Sequence, residues 1–173
     1  MKKIILLCLI LFSVITFSKN FWEKSDFTVN VTENTKINNT TKVKSYVMSY
    51  NVGTLKLVIT EPKINKGEEY TFKGNSKTVY YPSLKQTVTQ KIQNGETTIL
   101  NIFNKLRTIT VTNTQTKNGD VFTFQNNLLI EIKSNGYTAK FSEYQSAIGY
   151  NYPTKISIKS GSNTINYNLS NFR

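Results

Sequence analysis

The side chains that most often carry chemistry are sparse in this chain. There is no histidine, which removes the commonest general base, the commonest zinc ligand and the usual pH switch. The one cysteine, Cys8, lies inside an apolar N-terminal run. The ten Asp and Glu residues are scattered. The adjacent pair Glu68 and Glu69 would point to opposite faces of a strand. Glu61 with either of them could be imagined as an acid/base pair, but solvated carboxylates at a turn fit the pattern better. What the chain does have in quantity is large apolar side chains, among them 10 Tyr and 10 Phe. Gathered on one curved face, such residues can exchange water for an apolar ligand, and Tyr, Phe and Met make adaptable pocket linings. The candidate lining residues are Tyr46, Met48, Tyr50, Leu55, Leu57, Ile59, Tyr70, Phe72, Val79, Val88, Ile99 and Phe103. Taken singly, each also serves as an ordinary core residue. The sequence leaves open whether Val79 and Tyr81 or Thr78 and Tyr80 face inward.

The elements that must position these residues are strands. Alternation of period two runs through Phe27-Val29-Val31, Tyr46-Met48-Tyr50, Leu55-Leu57-Ile59, Tyr70-Phe72, Ile156-Ile158 and Ile165-Tyr167-Leu169. Thr, Tyr, Val, Ile and Phe dominate these runs, as strands favour. Turn residues fall between them at short intervals. Asn118-Gly119 and Asn135-Gly136 predict type I′ hairpins, which need positive φ at both central positions. Gln145 to Tyr152 reads as a loop, and Asn34–Thr41 and Asn113–Asn118 as hairpin tips. Many short strands joined by hairpins make an antiparallel sheet, highly curved or closed. One segment departs from this pattern. Between Gly95 and Leu106, the residues Ile99, Leu100, Ile102, Phe103 and Leu106 recur at helical spacing. A short helix is expected there, plugging one end of the core, and a second around Phe21 and Trp22. A charge at Phe103 is expected to weaken ligand binding and spare the β-fold.

The N-terminus reads as an export signal. Lys2 and Lys3 precede an apolar run from Ile4 to Phe17, ending at Thr16-Phe17-Ser18. That run is shorter than the roughly 20 residues of a spanning helix, so residues 1–18 are expected to be cleaved. Leu7 before Cys8 is not the small residue that lipidation requires, so the mature chain is expected to be released rather than anchored. It comprises residues 19–173, read as one β-domain. No cofactor and no metal are implied. The chain carries 22 Lys+Arg against 10 Asp+Glu. Only Arg107 and Arg173 are arginines, and the lysines are spread throughout. That composition argues against a nucleic-acid reader and for solubility with a general attraction to anionic membrane surfaces.

Several residues in order carry a resemblance. Gly53-Thr54-Leu55-Lys56-Leu57 is followed by Thr60-Glu61-Pro62, by Gly74-Asn75, and by Tyr80-Tyr81-Pro82 with Gln86 and Val88. Tyr152-Pro153-Thr154-Lys155-Ile156 then leads to Leu169-Ser170-Asn171-Phe172-Arg173. This series resembles the bacterial periplasmic lipoprotein carriers of the LolA family. The resemblance implies a mainly β fold: a strongly curved, half-open antiparallel β-barrel with short lid helices. It implies an apolar cavity that holds lipoprotein acyl chains in transit through the periplasm to the outer membrane, with no catalysis. The implied partners are acylated lipoproteins, an inner-membrane release complex and an outer-membrane acceptor, with the carrier itself a monomer. An Arg-Pro that opens the third strand in that family has no counterpart at Asn51-Val52-Gly53. Beside this reading stand three others: a carrier of another amphiphile such as a glycolipid, a small outer-membrane β-barrel, and an inert surface β-domain.

Overall fold

The computed structural model describes residues 18–37, 40–92 and 96–173. The signal segment read at residues 1–18 lies outside them apart from Ser18. The strands are β1 (Lys19–Asn20), β2 (Asp26–Ile37), β3 (Thr40–Asn51), β4 (Thr54–Glu61), β5 (Glu69–Lys73), β6 (Ser76–Tyr81) and β7 (Gln86–Lys91). After the helix α1 (Thr98–Leu106) come β8 (Gln115–Lys117), β9 (Asp120–Gln125), β10 (Leu128–Ser134), β11 (Tyr137–Ala147), β12 (Tyr150–Ser160) and β13 (Asn163–Ser170). They form one sheet in the order β7-β6-β5-β4-β3-β2-β13-β12-β11-β10-β9-β8. Every pairing in that path is antiparallel, and β1 adds a two-residue parallel pairing to β12. The sheet is not closed, because β7 and β8 stand at opposite edges. The alternation called for an antiparallel sheet, and the open edges match the half-open barrel that the resemblance implied.

The alternation also sets which face is buried. On β2, Phe27, Val29 and Val31 are buried while Thr28, Asn30 and Thr32 are not. The cross-strand partners of that apolar set are Tyr50, Met48 and Tyr46, which pair in turn with Leu55, Leu57 and Ile59. Directly opposed residues share a face, so the register carries one apolar stripe across the centre of the sheet. The opposite face presents Thr28, Ser49, Lys56, Ser157 and Asn166.

The connection from β7 to β8 joins the two edges, and α1 lies within it. The helix buries Ile99, Leu100, Ile102, Phe103 and Leu106, an apolar stripe at three- and four-residue spacing. Its contacts reach much of the sheet. Phe103 packs against Phe27 of β2 and Tyr50 of β3. The Tyr50 hydroxyl donates to Asn104 Oδ1 at 3.1 Å. Lys105 Nζ, in the last turn, donates to Asp120 Oδ1 at 2.9 Å and to Ser134 Oγ at 2.8 Å. The helix therefore covers the apolar face. A 3₁₀ turn at Phe21–Glu23 buries Phe21 and Trp22 beside it, and Arg107 Nη1 donates to the carbonyls of Trp22 and Lys24 at 3.3 and 3.0 Å. Both expected helical segments are present.

Two local expectations are corrected. Gln145 to Tyr152 is a hairpin rather than a loop: Ala147 pairs with Tyr150 across Ile148-Gly149, both at positive φ. Asn135-Gly136 is not a type I′ turn, since only Gly136 takes positive φ. Asn118-Gly119 does have positive φ at both positions.

Candidate functional site

The face covered by α1 is not filled along its whole length. Beside the helix lies an open cleft of about 480 Å³, within the size range of small-molecule sites. Its floor is the apolar stripe of β3, β4 and β5: Tyr46, Leu55, Leu57, Ile59, Tyr70 and Phe72. Ile99 closes it from α1, and Ile165 and Tyr167 close it from β13. Each strand contributes alternate residues because only one parity faces inward.

Polar groups ring this apolar floor. The Tyr46 hydroxyl donates to Glu33 Oε2 at 2.8 Å, and Thr35 Oγ1 donates to Glu33 Oε1 at 2.9 Å. Lys44 Nζ lies 3.2 Å from Glu33 Oε1 and 5.7 Å from the centre of the Tyr46 ring. On the other side, Glu68 accepts from the Tyr70 hydroxyl at 2.6 Å and from Asn65 Nδ2 at 2.9 Å. Burial pushes the Tyr46 and Tyr167 phenols well above their ordinary range, and the nearby Glu33 carboxylate pushes both further. Tyr70 is raised by burial and by its bond to Glu68. These hydroxyls stay protonated at neutral pH and serve as donors at the edge of the cleft.

The twelve residues singled out from sequence fall into three groups. Tyr46, Leu55, Leu57, Ile59, Tyr70, Phe72 and Ile99 line the cleft together. Met48, Tyr50 and Phe103 are buried deeper, in a core where Phe103 sits edge-on to Phe21, Phe27 and Tyr50. Val79 is buried on β6, and its cross-strand partner Val88 is 40% exposed on the edge strand. The inward parity at this strand is thus Val79, with Tyr80 exposed. Phe103 is a core residue, so a charge there strikes the fold itself and does not report on the cleft. Sequence reading missed Glu33, Lys44, Asn65, Ile165 and Tyr167 as lining residues. Parity could have found some of them, since Glu33 continues the inward set Phe27-Val29-Val31 and Lys44 precedes Tyr46 by two.

The carboxylates considered as an acid/base pair do not form one. Glu68 is bonded to Tyr70 and Asn65, Glu69 pairs with Lys56 at 2.6 Å, and Glu61 is exposed. Among the described residues no group of three or more His, Cys, Asp or Glu could hold a metal ion, and no helix is long and apolar enough to cross a membrane. What the arrangement can do is bind an apolar chain whose polar end sits among Glu33, Lys44 and the tyrosine hydroxyls.

No protein-family model and no curated protein matches the sequence. The fold does match solved structures. A LolA superfamily protein from Nitrosomonas europaea aligns at TM-score 0.58 and 14% identity, over 91% of this chain and 89% of that one. A putative outer membrane lipoprotein-sorting protein domain from Vibrio parahaemolyticus aligns at TM-score 0.56 and 11% identity, over 90% and 87% of the two chains. A DUF1329 family protein from Desulfovibrio piger aligns at TM-score 0.59 and 10% identity, over 86% and 85%. The chain therefore has the fold of LolA superfamily proteins, as its sequence resemblance implied.

Proposed function

We propose that this chain is an exported, non-catalytic carrier that shelters lipoprotein acyl chains in the cleft and carries them through the periplasm toward the outer membrane. The observation that carries this reading is the open apolar cleft between α1 and the sheet, lined from β3, β4, β5 and β13. A domain with a purely structural role would gain stability by filling such a space. Acyl chains transfer at about 0.8 kcal/mol per buried methylene, so an apolar lining suffices and no reactive group is required. Lipoproteins loaded from an inner-membrane release complex and passed to an outer-membrane acceptor are the cargo and partners that fit the fold's likeness to a lipoprotein-sorting domain.

The cleft's size favours a second reading within the same class. A methylene needs about the room of a water molecule, roughly 30 Å³. A volume of about 480 Å³ then holds one chain of about 16 carbons. A single-chain amphiphile, or one acyl chain of a lipoprotein at a time, fits that volume. Mass spectrometry of what co-purifies with the mature protein from its native envelope decides the cargo. An acylated lipopeptide supports the carrier reading, and a glycolipid or free fatty acid moves it to another amphiphile. A fluorescent fatty-acid titration with no saturable binding refutes both.

A further inference from the structure

Two neighbouring turns and the adjoining ends of β2 and β3 stand at one end of the sheet. The turns are the Pro62–Gly67 connection between β4 and β5 and the Pro82–Lys85 turn between β6 and β7; beside them β2 ends at Ile37 and β3 begins at Thr40. The strand order places them side by side. They carry Ile37 (46% exposed), Val43 (55%), Ile64 (89%) and Leu84 (63%). Such side chains are held in water at a cost, and grouping them at one end calls for a reason.

The charges of the same tips supply one. Lys36, Lys42, Lys63, Lys66 and Lys85 stand on or beside these turns, and among the described residues none of them is in an ion pair. Of the nearby acids, Glu33 is engaged with Lys44 and Tyr46, Glu68 with Tyr70 and Asn65, and Glu69 with Lys56; Glu61, beside Pro62, is exposed, so the lysines at this end still outnumber it five to one. Aliphatic tips set among unpaired lysines match an anionic bilayer surface. The aliphatic groups enter the interface and the ammonium groups meet the phosphates. A protein partner fits less well, because interface anchors are mainly Trp, Tyr and Arg in a contiguous patch, and these tips offer separate aliphatic side chains and lysine.

We propose that this end of the sheet docks the protein on an anionic phospholipid membrane. The cleft opens beside the same tips, since Thr35, Lys44, Pro62 and Asn65 lie on its rim. Docking there would bring the cleft next to the lipid surface. The proposal concerns the outer tips and stands whatever the cleft holds.

The test is co-sedimentation of the mature protein with phosphatidylcholine vesicles, with and without phosphatidylglycerol. Binding is expected only with phosphatidylglycerol, and it should fall as salt is added. Each lysine replaced by glutamate among Lys63, Lys66 and Lys85 should weaken it about fivefold or more. Ile64→Glu with Leu84→Glu should weaken it at least tenfold. Val52→Glu and Ile148→Glu, exposed at the opposite end of the sheet, should leave it unchanged. Equal sedimentation with both vesicle types overturns the proposal, as does an equal loss from the opposite-end variants; capture of an acidic protein with no vesicle binding would make the surface a protein interface instead. Ile64 and Leu84 do not line the cleft, so Ile64→Glu/Leu84→Glu should keep its affinity for a fluorescent fatty acid. Loss of vesicle binding with probe binding intact supports docking, whereas vesicle binding by a protein that never binds the probe retains docking and removes the carrier reading.

Discussion

Replacing Phe103 by alanine tests how the helix is held over the sheet. The ring is 2% exposed. Its centre lies 5.4 Å from both Phe27 and Tyr50 and 6.0 Å from Phe21, edge-on in each case. Truncating a buried phenylalanine costs about 3–5 kcal/mol. Each aromatic pair adds about 0.5–1.5 kcal/mol beyond area burial, but three pairs sharing one ring do not simply sum. The expected loss is about 4 kcal/mol, a large share of a typical stability of about 5–15 kcal/mol. Equilibrium urea unfolding can be followed by Trp22, the one tryptophan, whose ring lies 5.2 Å from Phe21. With a slope of about 2 kcal/mol per M, the midpoint should fall by about 2 M. Phe103→Asp should go further and abolish folding, because a carboxylate would be buried without a partner. A loss below about 1 kcal/mol for Phe103→Ala at unchanged slope would refute the docking of α1 by this ring. It would also remove the ceiling of the cleft, since Ile99 stands one turn away on the same helical face.

Three other outcomes follow from the geometry. In a series of fatty acids, affinity should rise about fourfold per methylene and level off near 16 carbons, as read by probe displacement; a continued rise to much longer chains would mean the cleft is not the container. The buried Tyr46 and Tyr167 phenols are raised, so above about pH 10 the unfolded chain releases protons that the folded one retains. Stability should therefore be complete below about pH 10 and decline above it by roughly 1.4 kcal/mol per pH unit for each phenol, with their tyrosinate absorbance emerging only as the protein unfolds; ionisation of every tyrosine near pH 10 in a folded protein would contradict this. Lys105→Met strands Asp120, whose side chain is 9% exposed, and should cost about 2 kcal/mol in the same urea assay, with Asp120→Asn restoring part of the loss.

Much of the fold was legible because a half-buried sheet writes its faces into alternate residues. Tyr46-Met48-Tyr50 and Leu55-Leu57-Ile59 read as strands and are strands, and the helical spacing of Ile99 to Leu106 stood out against them. The turns were less legible where the backbone overrides local preference. Ile148 takes a φ of 47°, a conformation that a β-branched residue rarely adopts, so Gly149 alone marked the β11–β12 turn, without the Asn or Asp that usually precedes it. Asn126-Asn127 joins β9 to β10 with both residues at positive φ, without the glycine that usually flags such a turn. Within the site, the apolar floor was readable by parity. Which members of that stripe border open space and which lie under α1 was not, because Met48 and Leu57 have the same local pattern. The difference arises from where a helix some 40 residues further along the chain comes to rest. The polar edge was hidden for a related reason: Glu33 meets Tyr46 only through the β2–β3 register.

The position of β2 has a consequence for how the molecule is made. Its two neighbours in the sheet are β3, the next strand in the chain, and β13, the last. Residue Lys36 faces Thr164, and Asn30 faces Ser170. Half of the hydrogen-bonding capacity of β2 stays open until the other end of the chain arrives. Contacts so distant in sequence are slow to form, and an open strand edge is a template for pairing with other chains. The hairpins from β2 to β7 can assemble early, but the two halves of the sheet join only when the final strand docks. A chain truncated before Asn163 would therefore have an exposed seam through its middle, where the complete protein has continuous sheet.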